Sequence, residues 1–179
     1  MAESFTNSFT RAAGSVTTAS NSTVAAASTA ITVTSSTGIG VSDLIDNSNF
    51  IAGTRVRQID GTTIYADRAS TNSSTATSQT VKFLGVTTAY TSAAATKSIL
   101  IGGTFANNTN SQVGLTVEIY DASGSVGVAL ASKIPVPAGS SFVISDAGKT
   151  LLQASDEVRI YCDVDNAIDA SLSILTGVS

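Results

Sequence analysis

Val113-Gly114-Leu115-Thr116-Val117-Glu118-Ile119-Tyr120-Asp121 is the stretch that decides the fold class. Val113, Leu115, Val117 and Ile119 recur at every second position, with Thr116, Glu118 and Tyr120 between them. A period of two is that of a pleated strand, which aims the aliphatic set at one face and the polar set at the other. The stretch predicts a half-buried antiparallel strand whose Thr116, Glu118 and Tyr120 face solvent.

The flanks repeat this signal. Downstream, Gly124 turns the chain and Val126-Gly127-Val128-Ala129-Leu130-Ala131 returns. Ile134-Pro135-Val136-Pro137 follows. Proline has no N–H for a ladder, so this segment belongs on an edge or a bend. Ser141-Phe142-Val143-Ile144 and residues 157–164 and 170–175 read as the next strands. Upstream, Asn107-Asn108-Thr109-Asn110-Ser111 is a turn cluster, preceded by the strand Ser98-Ile99-Leu100-Ile101-Gly102-Gly103-Thr104-Phe105-Ala106, whose glycines mark a bulge. Strands about ten residues apart with turns between them predict a β-sandwich. Helix signals are nearly absent; residues 146–153 allow one turn at most.

Residues 15–85 have a different texture, rich in Ser and Thr and poor in aromatics. Ala30-Ile31-Thr32-Val33-Thr34 alternates as a strand should, and Thr80-Val81-Lys82-Phe83-Leu84 is another. Arg55-Val56-Arg57-Gln58-Ile59 and Thr62-Thr63-Ile64-Tyr65 flank Asp60-Gly61, a hairpin signal compatible with a two-residue loop or with a three-residue loop and bulge. Residues 71–78 read as exposed loop and residues 87–96 as a connector. The expected organisation is all-β: an antiparallel β-sandwich, Ig-like or jelly-roll-like, formed by residues 1–14 plus 86–179. A small Ser/Thr-rich β-module, residues 15–85, is inserted into it.

Charged residues are only 12% of the 179, about half the usual share, so the polar surface is made of hydroxyls and amides. The net charge is −4, and the nine Lys and Arg are scattered, which argues against nucleic acid as a partner. Arg55 and Arg57 come nearest to a pair and read as a solvated strand face. The start, Met1-Ala2-Glu3-Ser4-Phe5, is not a secretory signal, and no window is apolar enough for a membrane helix, so a soluble protein made in a cytoplasm is expected.

The chain contains no histidine. That removes the commonest general base, the Ser-His-Asp and Cys-His arrangements, and zinc held by Cys and His. Cys162 is the single cysteine and shares a face with Val158 and Ile160, the place of a buried small hydrophobe rather than a reactive thiol. Calcium is the ion to weigh, because Asp163, Asp165, Asn166 and Asp169 cluster near the end and Asp43 lies near Asp46. Asp and Asn at turns commonly serve their own backbone, and that is the preferred reading. Gly38-Ile39-Gly40 lacks the third glycine of a nucleotide fingerprint. Asn21-Ser22-Thr23, Asn72-Ser73-Ser74 and Asn107-Asn108-Thr109 match the glycosylation pattern by chance in so Asn-, Ser- and Thr-rich a chain. No catalytic, cofactor-binding or metal-binding residue is assigned, and no cofactor is expected.

Four segments together resemble a β-sandwich module of tailed-bacteriophage virion proteins, notably those of phages infecting cyanobacteria and other aquatic bacteria. They are residues 98–107, Val117-Glu118-Ile119-Tyr120-Asp121, Ile134-Pro135-Val136-Pro137-Ala138-Gly139-Ser140-Ser141 and Leu172-Ser173-Ile174-Leu175. Phe5-Thr6-Asn7-Ser8-Phe9-Thr10 resembles the opening strand of that module. Thr37-Gly38-Ile39-Gly40-Val41 and Ile51-Ala52-Gly53-Thr54-Arg55-Val56 resemble repeats of phage structural proteins. The resemblance implies a non-enzymatic virion component assembled in the host cytoplasm. First choice is a capsid decoration (cement) protein contacting the major capsid protein; a neck, collar or tail-fibre component is the alternative. Weakly charged β-surfaces also predict a homo-oligomer. A carbohydrate-binding module is the alternative from another class, poorly served by a chain with no Trp and four Tyr.

Overall fold

The computed structural model describes residues 3–145 and 149–178, and among them the regular structure is all β-strand. The chain divides into two compact units, residues 1–14 with 87–179 and residues 15–86.

The first unit is an antiparallel β-sandwich. One sheet runs β1 (Ser4–Ala13), β15 (Ile168–Val178), β9 (Lys97–Asn107), β12 (Ser141–Ile144), with β13 (Thr150–Leu152) also on β9. The other runs β11 (Val126–Val136), β10 (Val113–Asp121), β14 (Glu157–Cys162), β8 (Thr87–Thr91). The inner faces supply the core. On β15, Ile168, Ala170, Leu172 and Ile174 are buried while Ser171 and Ser173 are exposed. Leu100 and Phe105 join them from β9, and Val113, Leu115, Val117, Val158, Ile160 and Cys162 come from the facing sheet. The Phe105 and Phe142 rings lie 6.2 Å apart, within the range of favourable aromatic pairs.

Several expectations are met in detail. The register of β9 on β15 slips beside Gly102, where the glycines marked a bulge. Pro135 lies on β11, an edge strand. Others are corrected. Residues 87–91 of the expected connector form edge strand β8, laid against β14. Of the expected helical turn, residues 146–148 lie outside the described residues, and Thr150–Leu152 is a strand on β9. Thr116 and Glu118 do not face solvent but are buried, for reasons given below.

The second unit is a six-stranded sheet in the order β4 (Leu44–Asp46), β7 (Ala76–Gly85), β2 (Ser15–Val24), β3 (Ala30–Thr32), β6 (Thr63–Ala66), β5 (Val56–Asp60). Its core gathers Val24, Ile31, Ile45, Phe50, Ile64, Val81 and Phe83. The expected hairpin is present one residue displaced: Asp60 pairs with Thr63, and Gly61, at φ 57°, opens a two-residue loop. The expected loop over residues 71–78 ends early, because β7 begins at Ala76. The structure contains no helix long and apolar enough to cross a membrane among the described residues.

Candidate interaction surface

The outer face of the five-stranded sheet is built by strand register. Phe5 on β1 lies opposite Leu175, Leu175 opposite Ile99, and Ile99 opposite Leu151. A second row runs Phe9, Ser171, Thr104, Val143. Phe5 and Phe9 are 77% and 75% exposed, and Val143 and Leu151 55% and 47%. At ordinary strand spacing these four side chains mark the corners of a square about 14 Å on a side. Two shallow concavities lie within and beside it. One, of about 340 Å³, is lined by Phe9, Arg11, Thr104, Ala106 and Asp169. The other, of about 420 Å³, is lined by Ile101, Gly102, Val143 and Ser173. Apolar projections around a hydroxyl floor can exclude water against a matching surface.

On the outer face of the facing sheet the centre is covered instead. Glu118 is fully buried there and Thr116 nearly so. The Tyr161 hydroxyl, itself buried, donates to Glu118 Oε1 at 3.3 Å. A Cβ on Gly127 would fall 2.3 Å from the Glu118 carboxyl carbon, so the side chain lies down in the space that glycine leaves. The Lys133 N–H donates to Thr116 Oγ1 at 3.0 Å. Polar periodicity placed these residues outward, and outward they point; neighbouring strands on the same face cover them. Arg159 stacks 3.4 Å over the Tyr120 ring while its Nε bonds Glu157 Oε2 at 2.7 Å.

The aspartates weighed for calcium serve separate backbone groups. Asp163 Oδ1 accepts from the Gly114 N–H at 2.7 Å, Asp169 Oδ1 from the Ala12 N–H at 2.8 Å, and Asp43 Oδ2 from the Gly40 N–H at 2.7 Å. Asp165 and Asn166 are exposed, Asn166 at φ 52°, and Asp46 ends β4 at a half-buried position. Among the described residues no three His, Cys, Asp or Glu side chains gather where a metal ion could be held. Burial pushes the Asp43 carboxyl up from its ordinary value, and the Gly40 amide opposes this in part. Cys162 lies in the sandwich core beside Val158 and Ile160, where burial first and Asp163 second push its thiol up to about 12. A neutral thiol at neutral pH is a poor nucleophile. Arg57 is exposed and Arg55 half-buried. Three of the four tyrosines are engaged in packing: Tyr161 is buried, Tyr120 lies under Arg159, and Tyr90 packs on the core with its hydroxyl 2.9 Å from Ser98 Oγ.

No protein-family model, curated protein or solved structure matches the chain. Sequence reasoning saw Phe5 and Phe9 only as part of an opening strand. Their spacing put them on one face, but whether that face is covered depends on which strands lie beside and behind it.

Proposed function

We propose that the protein is a non-enzymatic structural subunit of a tailed-phage virion, and specifically a capsid decoration protein. The observation that carries this reading is the uncovered outer face of the five-stranded sheet, with Phe5, Phe9, Val143 and Leu151 at its corners. Exposed apolar side chains grouped on one sheet face offer a place where another protein can sit. The weakly charged, hydroxyl-rich exterior suits dense lateral packing, where like charges on neighbouring copies would repel. The phage-like segments of the sequence supply the context, and the major capsid protein is the partner they imply.

Quantitative mass spectrometry and imaging of purified particles test the proposal. The expected result is a copy number that follows the head lattice and density on the outer capsid surface. A few copies at one vertex or along the tail would make the protein a neck, collar or tail-fibre component instead. Its absence from the particles would end the virion reading altogether.

A further inference from the structure

The five edge strands of the sandwich are not equally protected. β8, β12 and β13 are five, four and three residues long. β11 contains Pro135, a left-handed Lys133 at φ 50° and register shifts along β10. Short length, proline and bulges are the usual devices that stop an edge from pairing with another chain. β1 has ten residues, and from Ser4 to Thr10 it keeps an unbroken register on β15. Its irregularity is confined to the far end, where Ala12 takes φ 56°. Among the described residues, the backbone of residues 5–11 is bonded only within the β1–β15 ladder.

The sequence of this open edge is complementary to its own reverse. Turned end for end about Asn7, Glu3-Ser4-Phe5-Thr6-Asn7-Ser8-Phe9-Thr10-Arg11 sets Phe5 against Phe9, Thr6 against Ser8, Ser4 against Thr10 and Glu3 against Arg11. Aromatic pairs, hydroxyl pairs and opposite charges are the cross-strand combinations that stabilise an antiparallel ladder.

We propose that β1 pairs antiparallel with β1 of a second copy of this chain, about a two-fold axis that passes between the two Asn7 residues. An axis normal to the sheet keeps the same face outward in both copies, so the phenylalanines form two cross-strand pairs on one side. The charges close the ladder at both ends as Glu3–Arg11 pairs. Isologous two-fold contacts are the commonest closed assembly, and here one strand supplies both halves. The inference stands on the strand edge and does not depend on the virion reading.

Two experiments on the full-length chain test it. In sedimentation, the wild-type protein forms a dimer. E3R or R11E alone places like charges at both ends and weakens the dimer roughly tenfold. The double variant E3R/R11E, or a mixture of the two single variants, recovers it. F5K/F9K abolishes it while circular dichroism stays unchanged, since both side chains are exposed in the single copy. The second experiment fixes the register. Directly opposed Cα atoms in an antiparallel pair are about 5 Å apart, within disulfide reach. N7C therefore links to itself under mild oxidation. T6C and S8C link to each other when mixed but neither links to itself, and buried Cys162 does not compete. A wild-type protein that stays monomeric at high concentration overturns the proposal. So does a dimer in which T6C and S8C fail to cross-link, because a second copy then docks elsewhere.

Discussion

The two units of this chain are both β-sheet, yet they are held together differently. The sandwich relies on aliphatic and aromatic side chains interlocked between two sheets, with Leu100, Phe105, Leu115, Ile160, Leu172 and Ile174 at its centre. In the inserted unit the long strand β2 buries little more than Ala19, Ser22 and Val24. Around its own apolar core, polar side chains tie loops to backbone. The Ser70 hydroxyl donates to the Ala25 carbonyl at 2.7 Å and accepts from the Ser28 N–H at 3.2 Å. Asn72 Nδ2 reaches the Val24 carbonyl, and Ser22 Oγ the Ala19 carbonyl. Hydroxyl-rich sequence is therefore not loose sequence: its side chains tether the loops that surround the apolar core.

The contrast can be broken first at the cores. Phe105→Ala in the sandwich and Phe83→Ala in the inserted unit should each cost about 3–5 kcal/mol, the range for removing a buried ring. Chemical denaturation followed by hydrogen exchange should show each loss confined to its own unit. If both substitutions lower protection across the whole chain, the two cores are one cooperative system and the contrast fails. Next comes Gly127→Ala, whose Cβ would collide with the buried Glu118 carboxyl. A loss of about 1–3 kcal/mol is expected from the overpacking, read as a lower urea midpoint. Glu118→Ala in the same background should recover part of that loss.

Ser70→Ala tests the tethering role directly. It leaves a half-buried carbonyl and a half-buried N–H without their partner, at a cost of about 1 kcal/mol to the inserted unit alone. The smallest effect concerns pH. The thiol of Cys162 is raised to about 12 in the folded chain, from 9.0 for a free thiol. Below pH 9 the thiol is protonated in both states and stability is unaffected. Above it the unfolded chain loses the proton first, so stability falls as pH rises from 9 towards 12, by about 1 kcal/mol at pH 10. Urea midpoints at pH 8 and pH 10 should show this slope in the wild type and its disappearance in Cys162→Ala.

Much of the sandwich was legible because its strands carry the period of two in aliphatic residues. β10, β12, β14 and β15 were all anticipated on that signal, and Pro135 and Gly102 marked an edge and a bulge. β2 and β8 were passed over, since Ser15–Val24 and Thr87–Thr91 have too few large apolar residues to show any alternation. Thr116 and Glu118 were placed in solvent because alternation assigns a face without saying what lies on it. The same gap hid the interaction surface. Phe5 and Phe9 were read only as part of an opening strand, and only the order of strands reveals that nothing in the sandwich covers them.

Gly14 has one more consequence. The chain leaves the sandwich there, at φ 120°, pressed so close that a Cβ would lie 2.6 Å from the Val164 carbonyl oxygen. It re-enters at Thr87, whose hydroxyl accepts from the Gly14 N–H at 3.2 Å. On the other side of that doorway Ser15 pairs with Gly85, so the inserted unit also begins and ends at one spot. Exit and entrance are neighbours on both sides. Residues 15–86 thus form a cassette: a short linker could stand in their place, and a foreign domain with adjoining ends could be spliced into the same socket with little entropic penalty for closing the loop.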